Sequence, residues 1–193
     1  MKLRSYLASA TAGLALGCVV TIAPAAPAAT AAKLPNVIFV LADDLGYGDL
    51  GAFGQKLIKT PHIDRLAAEG TKFTQAYAGA TVCAPSRCSL MTGKHGGHAY
   101  IRGNREIKPE GQEPMPAGTF TVGHLMQRAG YTTGITGKWG LGKPDSASVP
   151  NKMGFDFFYG YNCQLRAHDY YPGHLWRNDQ VVPLDGKTYS HEL

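Results

Sequence analysis

Residues 36–42 read Asn-Val-Ile-Phe-Val-Leu-Ala, a run of β-branched and aromatic residues that stops abruptly at Asp43-Asp44-Leu45-Gly46-Tyr47-Gly48-Asp49. A segment apolar on both faces predicts a central strand, covered by helices above and below, in an α/β sheet. Acids and glycines at the carboxyl end of such a strand are where open α/β sheets place their ligand sites. The chain of 193 residues is long enough for one domain with a hydrophobic core, and too short for two large ones.

The rest of the chain alternates in the same manner. Thr60-Pro61-His62 starts a short helix with Ile63, Leu66 and Ala67 on one face, stopped by Gly70. Phe73 to Tyr77 reads as a second strand. Cys83 to Met91 reads as a helix with Pro85 in its first turn, where proline is tolerated. Residues 93–118 are rich in Gly and Pro and read as a long loop. Val122, Leu125, Met126 and Ala129 give a helical stripe ended by Gly130. Tyr131 to Thr136 predicts a short strand leading to Gly137-Lys138-Trp139. Beyond residue 142 the pattern is of loops and turns, with Phe155, Phe157, Phe158, Tyr159 and Tyr161 as a packing cluster rather than a sugar-stacking platform. This alternation argues for a layered α/β domain.

The first thirty-two residues have the make-up of an export leader. Lys2 and Arg4 form a positive start, Leu14, Leu16, Val19, Val20 and Ile22 an apolar heart, and Ala26-Pro27-Ala28 or Ala29-Thr30-Ala31 a cleavage site. This predicts a signal peptide at 1–32, a domain at 33–193, and a secreted or periplasmic protein. Ala15-Leu16-Gly17-Cys18 also resembles a lipobox, so lipid anchoring at Cys18 stands as a second alternative and a retained membrane anchor as a third. No other segment is apolar enough for a stable membrane span. The net charge of +5 is not gathered into Lys/Arg blocks, which excludes a nucleic-acid footprint. Removal of the leader would leave Cys83, Cys88 and Cys163, an odd number in an exported protein. One chemically special Cys and a Cys88–Cys163 pair would account for the count.

Cys83-Ala84-Pro85-Ser86-Arg87 followed by Leu90-Met91-Thr92-Gly93 resembles the signature of the sulfatase family over eleven consecutive positions. Pro35 through Asp49, Thr60 through Ala67, and Gly130 through Trp139 are similar to further segments of that family. The resemblance implies an alkaline-phosphatase-like layered sheet flanked by helices, of which this chain would be the N-terminal portion, truncated at its C-terminus. It implies that an activating enzyme, the formylglycine-generating enzyme, oxidises Cys83 to formylglycine, whose hydrate offers one hydroxyl to attack sulfur and another to expel sulfate. A helix N-terminus at residue 83 would suit an anion.

The resemblance also assigns roles to particular residues. Asp43 and Asp44, with the modified Cys83, would ligate Ca²⁺, or Mg²⁺, whose hard character matches carboxylate oxygens. Two carboxylates do not fill a site that takes roughly six to eight oxygens, and the family's further Asp-Asn pair would lie downstream. Arg87, four residues after Cys83 and so on the same helical face, would steady the hydrate, and Lys138 would contact sulfate. The chain departs from many relatives at Gly137-Lys138-Trp139-Gly140-Leu141-Gly142, where a His is expected in place of Gly140. His168 is the candidate replacement. The implied reaction is hydrolysis of a sulfated small molecule or glycan. A phosphate or phosphonate ester hydrolase is an alternative on the same scaffold, and so is a non-catalytic binding protein or inactive fragment. His95-Gly96-Gly97-His98, in flexible surroundings, reads as a loop and not as a metal pair.

Overall fold

A computed structural model describes residues 33–192; the predicted leader and Cys18 lie outside the described residues. The described residues divide into two compact units, the first ending at Ala67 and the second beginning at Ala68.

In the first unit, the run 36–42 carries no regular element. Ile38 and Val40 are 87% and 85% exposed, against the expectation of a buried central strand. A strand needs a neighbour to take up its N–H and C=O groups, and among the described residues no ladder forms on this run. Beyond it the unit is held by short polar contacts. Thr60 Oγ1 accepts from Gly51 N at 2.9 Å, and Asp64 Oδ1 accepts from Ala52 N at 2.6 Å and from Thr60 Oγ1 at 2.9 Å. These bonds fasten the tight turn Gly51–Phe53, which follows another at Tyr47–Asp49, to the start of helix α1, Pro61–Glu69. The helix forms where Pro61 and its amphipathic stripe predict.

The second unit holds helix α2 (Cys83–Thr92), helix α3 (Val122–Arg128), strand β1 (Gly134–Lys138), strand β2 (Phe157–Tyr161), the single-turn helix α4 (Gln164–Ala167), and strands β3 (His174–Arg177) and β4 (Gln180–Pro183). The sheet order is β1-β2-β3-β4. β1 and β2 are parallel, with Ile135 opposite Phe158 and Gly137 opposite Gly160; β3 and β4 run antiparallel. Residues 73–77, read as a strand, are irregular, with Tyr77 85% exposed. The strands and α4 beyond residue 142, read as loops, are real elements. β3 and β4 are joined by a two-residue turn at Asn178-Asp179, with Asn178 at φ 55°, a residue type suited to that geometry.

Thr121 caps α3, its Oγ1 accepting from His124 N, and Gly130 at φ 88° ends the segment. Asp156 ties the turn before β2 to β1. Its carboxylate accepts from Thr133 N at 2.8 Å, from Thr133 Oγ1 at 3.0 Å and from Gln127 Nε2 at 2.8 Å. The Thr133 backbone and hydroxyl donors hold its pKa below the usual Asp value.

The core gathers Ala84, Cys88, Ile101, Met115, Trp139, Leu141, Met153, Phe155 and Phe158. Phe155 and Phe158 pack as core residues, as the aromatic cluster suggests. Cys88 and Cys163 are both buried and both free, so the Cys88–Cys163 pair is not bonded. Among the described residues, no helix is long and apolar enough to cross a membrane.

Candidate active site

Cys83 is the first residue of α2. Val82 is extended and gives no side-chain cap, and Gly93 at φ 67° ends the helix in a left-handed turn. Ala84, Pro85 and Cys88 are buried, so the helix is seated by residues that follow the half-buried Cys83. Pro85 has no N–H and the Ala84 N–H is taken by Asn104 Oδ1 at 2.8 Å, so what the first turn offers at Cys83 is chiefly the positive end of the helix dipole.

Lys138 ends β1, at the carboxyl end of a parallel strand pair. Its Nζ lies 3.5 Å from Cys83 Sγ. Arg87, one turn along α2, donates from Nη1 to the backbone carbonyl of Lys138. Three of the residues singled out in the sequence, 50 or more positions apart in part, therefore converge. An ammonium, a guanidinium and a helix N-terminus around a reactive side chain form a place where a tetrahedral oxyanion is favoured.

Between Lys138 and Gly140, Trp139 turns the other way. It is buried, donates from Nε1 to the Ser148 carbonyl at 2.7 Å and meets Phe155 edge-on at 6.0 Å. The pairing of β1 with β2 continues past both strands, through Trp139 N to Tyr161 O at 2.9 Å and Gly140 N to Asn162 O at 3.1 Å. This continuation lays Gln164 alongside Gly140. A Cβ on Gly140, itself at φ 70°, would come within 2.5 Å of Gln164 Cγ and 2.7 Å of its Cδ. Gln164 Nε2 donates to Asn104 Oδ1 at 3.4 Å, and that same oxygen accepts from Ala84 N at 2.8 Å. Gln164 and Asn104 are missed by reading motifs. The signal that points to them is the glycine at 140, which leaves a volume for another side chain.

His168, the candidate replacement, is exposed at the C-terminal end of α4 and makes no hydrogen bond to Cys83, Arg87 or Lys138. The side chain beside Gly140 is Gln164. His95 and His98 meet edge-on at 4.6 Å in the loop after α2. Asp43 and Asp44 belong to the first unit, both exposed, with Asp44 in a left-handed turn at φ 54°. Two adjacent carboxylates at a sharp turn are hard oxygen donors and fit part of a Ca²⁺ or Mg²⁺ shell. Among the described residues, no three His, Cys, Asp or Glu side chains gather as a metal site.

The model of the sulfatase family matches residues 35–192. Steryl-sulfatase of Mus musculus is 39% identical over 154 residues, covering 75% of this chain and 25% of that protein. Arylsulfatase G of Canis lupus familiaris is 38% identical over 146 residues, covering 75% of this chain and 27% of that protein. A solved structure from work on glycosaminoglycan metabolism by Bacteroides thetaiotaomicron superposes with a TM-score of 0.66 at 34% identity, over 80% of this chain and 33% of that one. Another, in complex with its substrate D-glucosamine-2-N,6-O-disulfate, gives a TM-score of 0.63 at 30% identity, over 83% and 29%. The chain spans about a quarter of the length of the curated relatives it matches. Its mixed sheet and flanking helices are part of the alkaline-phosphatase-like fold.

Proposed function

The chain belongs to the sulfatase family, and from that premise we propose that it hydrolyses a sulfate ester at residue 83. The observation that carries the reading is Lys138 Nζ at 3.5 Å from Cys83 Sγ at the start of α2. Cys83 is the precursor of the nucleophile. In a two-electron oxidation by an activating enzyme, with dioxygen as electron acceptor, Cβ gives up its sulfur as sulfide and takes an oxygen as aldehyde. The hydrated aldehyde supplies one hydroxyl that displaces the alcohol from sulfur, the alcohol leaving with a proton, and a second whose deprotonation expels sulfate and restores the carbonyl.

The residues around it do the rest. The Lys138 ammonium holds the sulfate oxygens, and the positive end of the α2 dipole adds a favourable field. Arg87 fixes the Lys138 backbone by its guanidinium hydrogen bond and adds positive charge to the same pocket. Asp43 and Asp44, with the oxygen that replaces the Cys83 sulfur, would hold Ca²⁺, or Mg²⁺ in its place. The ion would contribute Lewis-acid charge toward the sulfate oxygens. The substrate class is a sulfated small molecule or glycan, in line with relatives named steryl-sulfatase and arylsulfatase. Export with removal of residues 1–32 is part of the same proposal and is supported by the leader-like sequence.

Mass spectrometry of the peptide containing Cys83, after co-production with a formylglycine-generating enzyme, tests the reading. Conversion makes the peptide about 18 Da lighter, one sulfur and two hydrogens being lost and one oxygen gained. The converted protein should then release sulfate from para-nitrophenyl sulfate. A Cys83 that remains a thiol while a control peptide is converted would overturn the proposal in favour of a non-catalytic binding role.

A further inference from the structure

Gln164 is 2% exposed, and its Oε1 is buried without a hydrogen-bond partner. An unpaired buried carbonyl destabilises a fold, and an apolar side chain of the same size would avoid that cost. Gln164 is therefore poor core filler, although its position beside Gly140 demands only volume. What it does with its polar end follows from the bonds around it. Ala84 N–H has a fixed direction as a member of the first turn of α2, and Asn104 turns its Oδ1 to meet it. An oxygen in that place can receive only a donor from Gln164, so the Gln164 amide must offer Nε2 and leave Oε1 over.

We propose that Gln164 is a positioning residue of the candidate site, acting through Asn104 on the turn of α2 that carries residue 83. The proposal rests on the reading of residue 83 as the nucleophile. Gln164 stands in the volume that Gly140 leaves open, and supplies there a neutral amide. The amide orders the Asn104 side chain. Asn104 in turn holds the N–H of Ala84, the residue bonded directly to Cys83. The distance from Lys138 Nζ to the reactive group at 83 depends on that turn keeping its place.

The test is Gln164→Met, which keeps length and volume but removes both polar ends, alone and combined with Asn104→Ala. Three quantities are read on the protein co-produced with the activating enzyme: turnover of para-nitrophenyl sulfate per aldehyde, thermal midpoint, and hydrogen exchange at the Ala84 amide. The expected result for Gln164→Met is a fall in kcat of about 10- to 100-fold with KM little changed. The thermal midpoint is equal to or above that of the parent, and exchange at Ala84 is faster. Adding Asn104→Ala should cost little more, because both changes break one bridge.

Parent-like kcat, an activity loss that only follows a lowered midpoint, or unchanged exchange at Ala84 would each overturn the inference. If Gln164→Met fails to fold, Asn104→Ala decides the matter, since it alters an exposed loop side chain and should reproduce both the kcat loss and the faster exchange. A parent that carries the aldehyde and releases no sulfate overturns the functional reading and the catalytic part of this inference with it. The exchange measurement then still decides the bridge.

Discussion

Arg87 hydrogen-bonds the backbone of Lys138, the residue whose ammonium reaches Cys83. The guanidinium thus has a second role besides its charge, as a strut between α2 and the end of β1. Lysine at 87 would keep the charge and lose the planar fork. Arg87→Lys should lower kcat/KM on para-nitrophenyl sulfate by about 10²-fold, with the thermal midpoint little changed; a parent-like kcat/KM would show that charge alone is what position 87 supplies.

Removing the Lys138 ammonium tests the oxyanion reading. Lys138→Met keeps the aliphatic stem and deletes one charged donor. A loss of about 10²–10³ in kcat is the usual cost of one such donor. Conversion of Cys83 to the aldehyde should be unaffected, as read from the peptide mass.

Gly137 and Gly160 face each other in the parallel pair β1–β2, and a Cβ on Gly160 would run into the Gly137 carbonyl. Gly160→Ala should force the strands apart at the end that bears Lys138. The cost is about 1–3 kcal/mol, readable in denaturant unfolding, with activity falling as well.

Asp156 gives a sign for the acid limb of stability. Its pKa is lowered by the Thr133 donors, so its contribution is complete above the ordinary Asp value of about 3.9 and is lost as pH falls from there toward the native value. Asp156→Ala should lower the thermal midpoint at neutral pH. The difference from the parent should shrink below about pH 4, which thermal melts across that range would measure.

Chelation tests the metal. Treatment with EDTA should abolish sulfate release and added Ca²⁺ should restore it, while Asp43→Asn should raise the Ca²⁺ concentration needed for half recovery. Full activity after exhaustive chelation would remove the metal from the proposal.

Helices α2 and α3 and strand β1 were legible because local signals and tertiary needs agree there. Pro85 and Gly93 bracket α2, and Thr121 and Gly130 bracket α3. The signature that contains Cys83 and Arg87 is local as well. The run 36–42 misleads for the opposite reason. Its pattern records what the segment can pair with, and pairing is a property of a neighbour rather than of the run. Strands β2 to β4 hide behind aromatic residues and short lengths, although Asn178-Asp179 marks the hairpin. Gln164 was invisible to motif reading because its place is defined by an absence at residue 140, 24 positions away. His168 fits the expected chemistry by residue type, yet α4 turns it to solvent.

The shared volume at Gly140 and Gln164 also sets an order on evolutionary change. A bulky residue at 140 is admissible only after 164 has shrunk, and a long one at 164 only while 140 stays bare. Any path between the two linings must pass through a sequence small at both positions, since one large at both clashes. The two sites are therefore epistatic. The same substitution at 140 carries only the strain of its left-handed backbone in one background and a clash with residue 164 besides in the other, and grafting a relative's residue there alone will misreport what that residue does.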